Sequence, residues 1–400
     1  MLKIKEQPSI LMIIERFSPI IGGAEAQCFQ LSSGFFKRGI KVTVVTKRWF
    51  DNLKKKEIFK PGFKVFRIGK PGSGRFNDYI SGFFLTIFLV KNFKAFDVFY
   101  INGGLANVFG STTILLGKIL GKKIIAKVET PGELFFSGPK ALSPKRFVHP
   151  LIKLRLAIAK RADFFIAQTP EIKNQLLELK IGEKRIKSIT NSVDTDFFSP
   201  LKSESEKIAL RKKWSLPWQK VIVVFCGRLA KRKGLTYLLN AWHREGFKNA
   251  VLLIIGSGEN QPDSIELQLK KTIEEKKTKT IYFLGLKEKE QVRELLRASD
   301  VFVYPSIHPE GTALSVLEAM AVGLPVVTSD VGGLKDVVED NRDGFLFPAK
   351  NVKALGNVLT KLIYKAELRK DFGRNGRDKV SHNYSTKKIV DDYLKFFNSF

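Results

Sequence analysis

Four hundred residues at 45.2 kDa exceed what one hydrophobic core usually serves, and predict two or three domains of roughly 100–200 residues each. With 44% apolar and 27% charged residues, a disordered chain is excluded. The unusual quantity is charge: 69 Lys and Arg against 39 Asp and Glu leave +30, which calls for an anionic partner without choosing among nucleic acid, a membrane surface and a phosphorylated substrate.

Taken in chain order, the apolar run Ile10 to Ile14 is too short for the h-region of an export signal, which needs roughly 7–15 residues. Short β-rich runs then alternate with helical patterns. Strands are predicted at 9–14, 41–46, 97–101, 123–128 and 163–168, with helices over 24–38, 105–120 and 170–179. The stretch Ile80 to Val90 is well under the ~20 residues that span a bilayer, and reads as a buried helix. Lys91 and Lys94 follow at once, so a face that dips into lipid is the alternative.

A polar, turn-rich segment from Thr190 to Lys207 marks the domain boundary. A second alternating series follows at 221–227, 250–256, 280–285, 300–305 and 325–329, and a one-faced helix closes the chain with Ile389, Tyr393, Phe396 and Phe397. The fold class is therefore α/β, as two Rossmann-like halves. The predicted domains are 1–195, 196–380 and a closing helix over 381–400. Cys28 and Cys226 are about two hundred positions apart, which fits a reducing, cytoplasmic setting and no disulfide or zinc framework.

In parallel sheets, ligands bind outside the carboxyl ends of the strands, so residues that follow each strand carry the information. After the first strand, Gly22 and Gly23 open a helix; such a pair admits a phosphate close to the backbone, and is equally a plain turn. The second half opens with Gly227-Arg228-Leu229-Ala230-Lys231-Arg232-Lys233-Gly234. Arg228 can make two parallel bonds to phosphate oxygens and Lys233 supplies a point charge, unless the loop is merely solvated. After the strand at 300–304 comes Glu310, then a predicted helix start near Thr312, with Glu318 ~9 Å further along. The backbone N–H groups of Gly311, Thr312, Ala313 and Leu314 would then face an anion, and two surface carboxylates are the plainer alternative.

Glu310 and Glu318, with seven residues between them inside PEGTALSVLEAMAVGLPVV, resemble the signature of the retaining glycosyltransferases of family four, which have the GT-B fold. SPIIGGAE with KVTVVT, NSVDTDFF, FCGRLAKRKG, LLIIGSG, YFLG and SDVGGLKDVV resemble that family in the same order over nearly the whole chain. The resemblance implies two domains facing a central cleft, with the closing helix crossing back to the first. It also implies that Arg228 and Lys233 bind the pyrophosphate of a nucleotide-sugar donor, Glu318 holds its ribose, Glu310 faces the sugar, and Gly22 and Gly23 approach the donor phosphate. The acceptor implied is a glycan or lipid-linked hydroxyl, with the basic clusters at 47–66 and Lys153 to Arg161 placing the protein at the inner face of an anionic membrane.

Two departures stand out. Asp194-Thr195-Asp196 has the D-x-D form of metal-bound sugar nucleotides in another fold, but it lies in the boundary turn, so no metal or other cofactor is expected. Where the family commonly has a histidine after the strand at 123–128, this chain has Glu129, and His149, His243, His308 and His382 offer no obvious substitute. A nucleotide-sugar epimerase or phosphorylase on the same fold is the nearest competing reading. A nucleic-acid-binding protein is the other, motivated by charge alone; Lys54-Lys55-Lys56 and Lys122-Lys123 lack interleaved aromatics.

Overall fold

The computed structural model describes residues 8–20, 22–59, 62–135, 150–259 and 263–399; His149 lies outside them. The chain forms two compact units, 1–192 with 386–400, and 193–385.

In the first unit the strands are β1 (Ile10–Ile13), β2 (Val42–Lys47), β3 (Lys56–Phe59), β4 (Phe63–Ile68), β5 (Val98–Asn102), β6 (Lys123–Val128), β7 (Phe164–Ala167) and β8 (Ile186–Ser188). They form one sheet in the order β3-β4-β2-β1-β5-β6-β7-β8, parallel except for the β3/β4 hairpin. Its helices are α1 (Gly23–Lys37), α2 (Arg75–Asn92), α3 (Val108–Ile119), α4 (Pro150–Ala159) and α5 (Pro170–Glu178). The interior strands are apolar at nearly every position because both faces are covered. Thus Ile10 and Met12 of β1 face the cluster that includes Leu31 and Phe35 of α1, whereas Leu11 and Ile13 face Leu85 and Leu89 of α2.

The second unit contains β9 (Val221–Cys226), β10 (Ala250–Ile255), β11 (Ile281–Gly285), β12 (Val301–Tyr304), β13 (Val326–Ser329) and β14 (Gly344–Phe347). These form an all-parallel sheet in the order β11-β10-β9-β12-β13-β14. Around them lie α6 (Glu204–Lys213), α7 (Leu235–Glu245), α8 (Glu266–Glu275), α9 (Lys289–Ala298), α10 (Leu314–Ala321), α11 (Leu334–Val337), α12 (Val352–Tyr364) and α13 (Ala366–Asn383). In both sheets the winding reverses beside the first strand, between β1 and β5 and between β9 and β12, which is where such sheets open a crevice.

The units divide at 192/193 and 385/386, where sequence composition predicts 195/196 and 380/381. Hydrogen bonding explains the difference. Ser192 exchanges bonds with Gln27 (3.0 and 3.2 Å) and Asn191 accepts from Lys127 (2.7 Å), all in the first unit, while Val193 N–H donates to Tyr384 in the second (2.9 Å).

The last helix, α14 (Thr386–Phe397), returns to the first unit and packs on α1, where Gly34 leaves room for Val390. Ile389, Val390, Tyr393, Phe396 and Phe397 are buried there. The Tyr393 hydroxyl meets that of Tyr100 on β5 at 2.7 Å inside the core. At the amino ends of the strands, three aspartates play one structural part. Asp97, Asp163 and Asp300 precede β5, β7 and β12 and accept the N–H groups of Ser9, Ile124 and Ile222 on neighbouring strands (2.9, 2.8 and 2.7 Å). Burial opposes ionisation of Asp300, but Lys207 and Arg211 outweigh it and hold its carboxyl below the usual range.

The Ile80–Val90 stretch falls within α2. It is buried at Leu85 and Leu89, but Phe83, Phe84 and Val90 are exposed, so the expectation of a wholly buried helix is corrected. No helix among the described residues is long and apolar enough to cross a membrane.

Replacing Tyr393 by Phe leaves the buried Tyr100 hydroxyl without its partner, and is expected to cost about 1–3 kcal/mol. The readout is the urea midpoint of the first unit's unfolding; an unchanged midpoint would remove the tyrosine pair from the account of how α14 is held.

Candidate active site

In the second unit, the loop after β9 and the loop after β12 lie side by side because their strands are neighbours. They are locked together by short polar contacts. Ile307 N–H donates to the Arg232 carbonyl (2.9 Å), and the Ser306 hydroxyl oxygen lies 3.1 Å from the same carbonyl. Gly234 sits in the left-handed region at φ +71, and a Cβ there would lie 1.8 Å from the Pro305 carbonyl oxygen, so only glycine lets the basic loop come this close.

Lys233 is only 6% exposed, and its ammonium donates to Glu310 Oε1 (2.8 Å) and to the Tyr304 hydroxyl. Burial alone would lower its pKa, but Tyr304 and Glu310 outweigh burial and hold it above the ordinary lysine value. Glu310 Oε1 also accepts from the Ser306 hydroxyl at 2.8 Å. Tyr304 is fixed by stacking on Phe225, with ring centroids 5.8 Å apart. Arg228, at the mouth of the same loop, is exposed.

Helix α10 begins at Leu314, with Ala313 extended at its N-cap (φ −69, ψ 115), two residues later than the sequence predicts. The extended backbone of Ala313 delays the first turn, and Glu318 therefore lies about 6 Å from the helix start rather than ~9 Å. Gly311, Thr312 and Ala313 are buried in the loop that leads into it. Burial, with little relief from Lys289, pushes the Glu318 carboxyl up to about 7. It lies near enough to Cys226, at the end of β9, to raise that thiol further than burial alone does.

Glu310 is also braced by the loop after β13, within SDVGGLKDVV, whose glycines carry no signal in sequence that they belong to the site. Gly333 N–H donates to the Glu310 carbonyl (2.8 Å). A Cβ on Gly332, at φ +51, would lie 2.5 Å from the Glu310 backbone.

In the first unit, Gly22 is the extended N-cap of α1 (φ −173), a conformation open to any residue, and a Cβ on Gly23 would meet nothing within 4 Å. The same reversal point holds a polar cluster that the sequence reading missed. Asn107 donates to Glu15 Oε2 (2.6 Å), while buried Lys47 pairs with Asp78 (2.5 Å) and lies 4.4 Å from the Trp49 ring. Burial, then Asp78, pushes the Glu15 carboxyl above its ordinary value. Glu15 follows β1 directly, so the strand-end rule contains the signal that would have found it.

Glu129, after β6, lies 3.2 Å from the buried Lys127 ammonium and accepts from Gln168 (2.9 Å). Its backbone N–H, with that of Gly104, donates to Glu133 (both 2.6 Å), whose carboxyl burial pushes up to about 7. Asp194 of the D-x-D sequence accepts from the N–H groups of Asp196 and Phe197 (3.2 and 3.0 Å), a local turn. His308 contacts the neighbouring Pro309 carbonyl (3.2 Å).

The family model described as glycosyl transferases group 1 matches residues 206–379, and that of glycosyltransferase family 4 matches 21–197. An uncharacterized glycosyltransferase of Methanocaldococcus jannaschii, MJ1069, is 28% identical over 60% of this chain and 59% of its own length. The chain thus aligns with little more than half of that relative. Sucrose-phosphate synthase from Thermosynechococcus elongatus has the same fold over 98% of this chain and 99% of its own, at 20% identity and a TM-score of 0.81. Anabaena HepE, in complex with UDP and glucose, matches over 98% of this chain and 100% of its own, at 20% identity and a TM-score of 0.79.

The raised Glu318 carboxyl makes stability depend on pH with a definite sign. Below about pH 4.5 the group is protonated in both states and contributes no penalty; as pH rises to about 7 the folded chain retains a proton that the unfolded chain has lost, and stability falls. Glu318→Gln is expected to raise the melting temperature by about 2–4 °C near pH 8 and to leave it unchanged near pH 4.5. A shift of equal size at both pH values would show that the carboxyl's charge is not its source.

Proposed function

The chain belongs to the group 1 glycosyltransferases with a family 4 N-terminal domain and has their GT-B fold, and on that premise we propose that it moves a sugar from a nucleotide-diphosphate donor to a hydroxyl, with retention at the anomeric carbon. The acceptor in this reading is a glycan or lipid-linked saccharide of envelope or exopolysaccharide synthesis.

The observation that carries the reading is the pairing of Lys233 with Glu310 at the carboxyl ends of β9 and β12, beside the start of α10. A donor diphosphate is a dianion or more, and the site offers two side-chain cations, Arg228 and Lys233, with the amides of Gly311 to Leu314. Glu318, four residues into the helix, suits the ribose hydroxyls, and Glu310 suits the sugar. Binding of UDP and glucose by HepE, on the same fold, supports a nucleotide-sugar donor.

When the bond from the anomeric carbon to the diphosphate breaks, its electron pair goes to the departing phosphate oxygen. Charge then grows beside Arg228 and Lys233, which stabilise it without reorganising. In this reading their charge serves in place of a metal ion. The acceptor oxygen bonds to the anomeric carbon, and its proton goes to the departing diphosphate, the base that the reaction itself creates. Glu310, already oriented by Lys233 and Ser306, offsets positive charge on the ring.

A thermal-shift screen across nucleotide-sugar donors identifies the donor, since a true ligand stabilises in proportion to the logarithm of its excess over Kd. With that donor, Glu310→Gln keeps an acceptor for Lys233 and is expected to lower turnover about 100-fold while donor affinity changes little. Arg228→Ala is expected to weaken both. Labelled-donor transfer measures turnover; unchanged turnover in the Glu310 variant would remove its role, and label released without reaching an acceptor would favour a different reaction on this fold.

A further inference from the structure

Helix α2 carries apolar residues on two opposite faces, and only one is covered. Ser81, Leu85 and Leu89 are buried against the sheet. The outward stripe is Phe76 (78% exposed), Tyr79 (56%), Phe83 (63%), Ile87 and Val90 (50%). Steps of three and four residues keep these on one side of a helix. Helix α3 packs on α2, where Gly82 lets Val108 approach closely, and adds exposed Ile119 (78%). A helix apolar all round is normally buried, so this stripe needs a partner.

We propose that this face docks the protein on an anionic lipid bilayer, with α2 lying flat at the headgroup level. Three observations select that occupant. The stripe is led by Phe and Tyr, whose flat, partly polar rings suit the boundary between headgroup and acyl chain. The exposed charge along β4, α2 and α3 is mainly positive: Lys64, Lys70, Lys91, Lys94 and Lys118 are exposed, and the acids of residues 58–128 are Asp78 and Asp97 alone. Both acids are engaged, Asp78 with buried Lys47 and Asp97 with Ser9, whereas exposed Lys91 and Lys94 at the end of the stripe have no ion pair among the described residues. Finally, α2 extends about 27 Å along its axis and no described helix qualifies as a span, so the face lies on the membrane rather than across it.

A second copy of this chain is the competing occupant, and charge argues against it. A two-fold contact would bring each basic rim against its own copy, whereas anionic headgroups neutralise it. The proposal is independent of sugar transfer, and its test needs no donor or acceptor.

The full chain is floated with vesicles of phosphatidylcholine alone, or of equal parts phosphatidylcholine and phosphatidylglycerol, at physiological salt. The expected result is partition onto the mixed vesicles only. Lys91→Glu with Lys94→Glu is expected to weaken partition by more than about 25-fold, from roughly fivefold per lost lysine plus repulsion. Phe76→Ser with Phe83→Ser is expected to weaken it at least about tenfold while leaving the melting temperature unchanged, because neither side chain is in the core. Wild-type protein that stays unbound, or variants that bind as well as wild type, would overturn the proposal. So would a dimer in sedimentation that the phenylalanine pair abolishes, which would assign the face to a second copy.

Discussion

The buried ammonium of Lys233 organises the carboxyl end of the second unit's sheet. A charge so far removed from water is tolerable only with partners at hydrogen-bond distance, and Glu310 and Tyr304 supply them from β12 and its following loop. The same contact ties the basic loop after β9 to the acidic loop after β12. Gly234 against Pro305, Ser306 against Arg232 and Gly333 against Glu310 complete the lock. Removing one member of such a pair strands the other, so this corner tolerates change poorly whatever its chemistry. In the proposed reaction, holding a diphosphate and a sugar in one geometry gains from that rigidity.

The two sheets separate stability from chemistry by end. At the amino ends, Asp97, Asp163 and Asp300 clamp strand starts to neighbouring strands. At the carboxyl ends, carboxyls whose pKa burial raises gather at or beside the reversal points: Glu15 and Glu133 in the first unit, Glu318 in the second. Groups held away from their ordinary ionisation are poor material for stability and useful material for binding hydroxyls.

The charge that first sets this chain apart resolves into unequal parts. Two of the excess cations, Arg228 and Lys233, belong to the donor site as proposed. A larger share lies in the first unit along β4, α2 and α3, which carry exposed lysines and exposed aromatic side chains together. One sign of charge beside a bare apolar stripe is a different arrangement from a nucleic-acid groove, in which aromatics alternate with cations along a track.

Local sequence determined the α/β class, most strands of both sheets and the returning helix, and it singled out the loop residues after β9 and β12 that the proposed site uses. Parallel strands buried on both faces are continuous apolar runs, and the loops at their carboxyl ends follow them directly, so both are legible in one dimension. Three of the four edge strands, β3, β8 and β14, were not, nor was β4 beside the first of them. Lys and Glu interrupt β3, which forms an antiparallel hairpin with β4, and β8 and β14 span only three and four residues. Glu15, Asn107 and Lys47 are separated by up to 92 positions and meet only because β1, β2 and the segment after β5 are neighbours in the sheet. The same holds for Glu310, which a one-dimensional reading pairs with Glu318 and which the fold pairs with Lys233, 77 positions away. Strand order decides which loops touch, and strand order is set by the packing of the whole sheet rather than by any one segment.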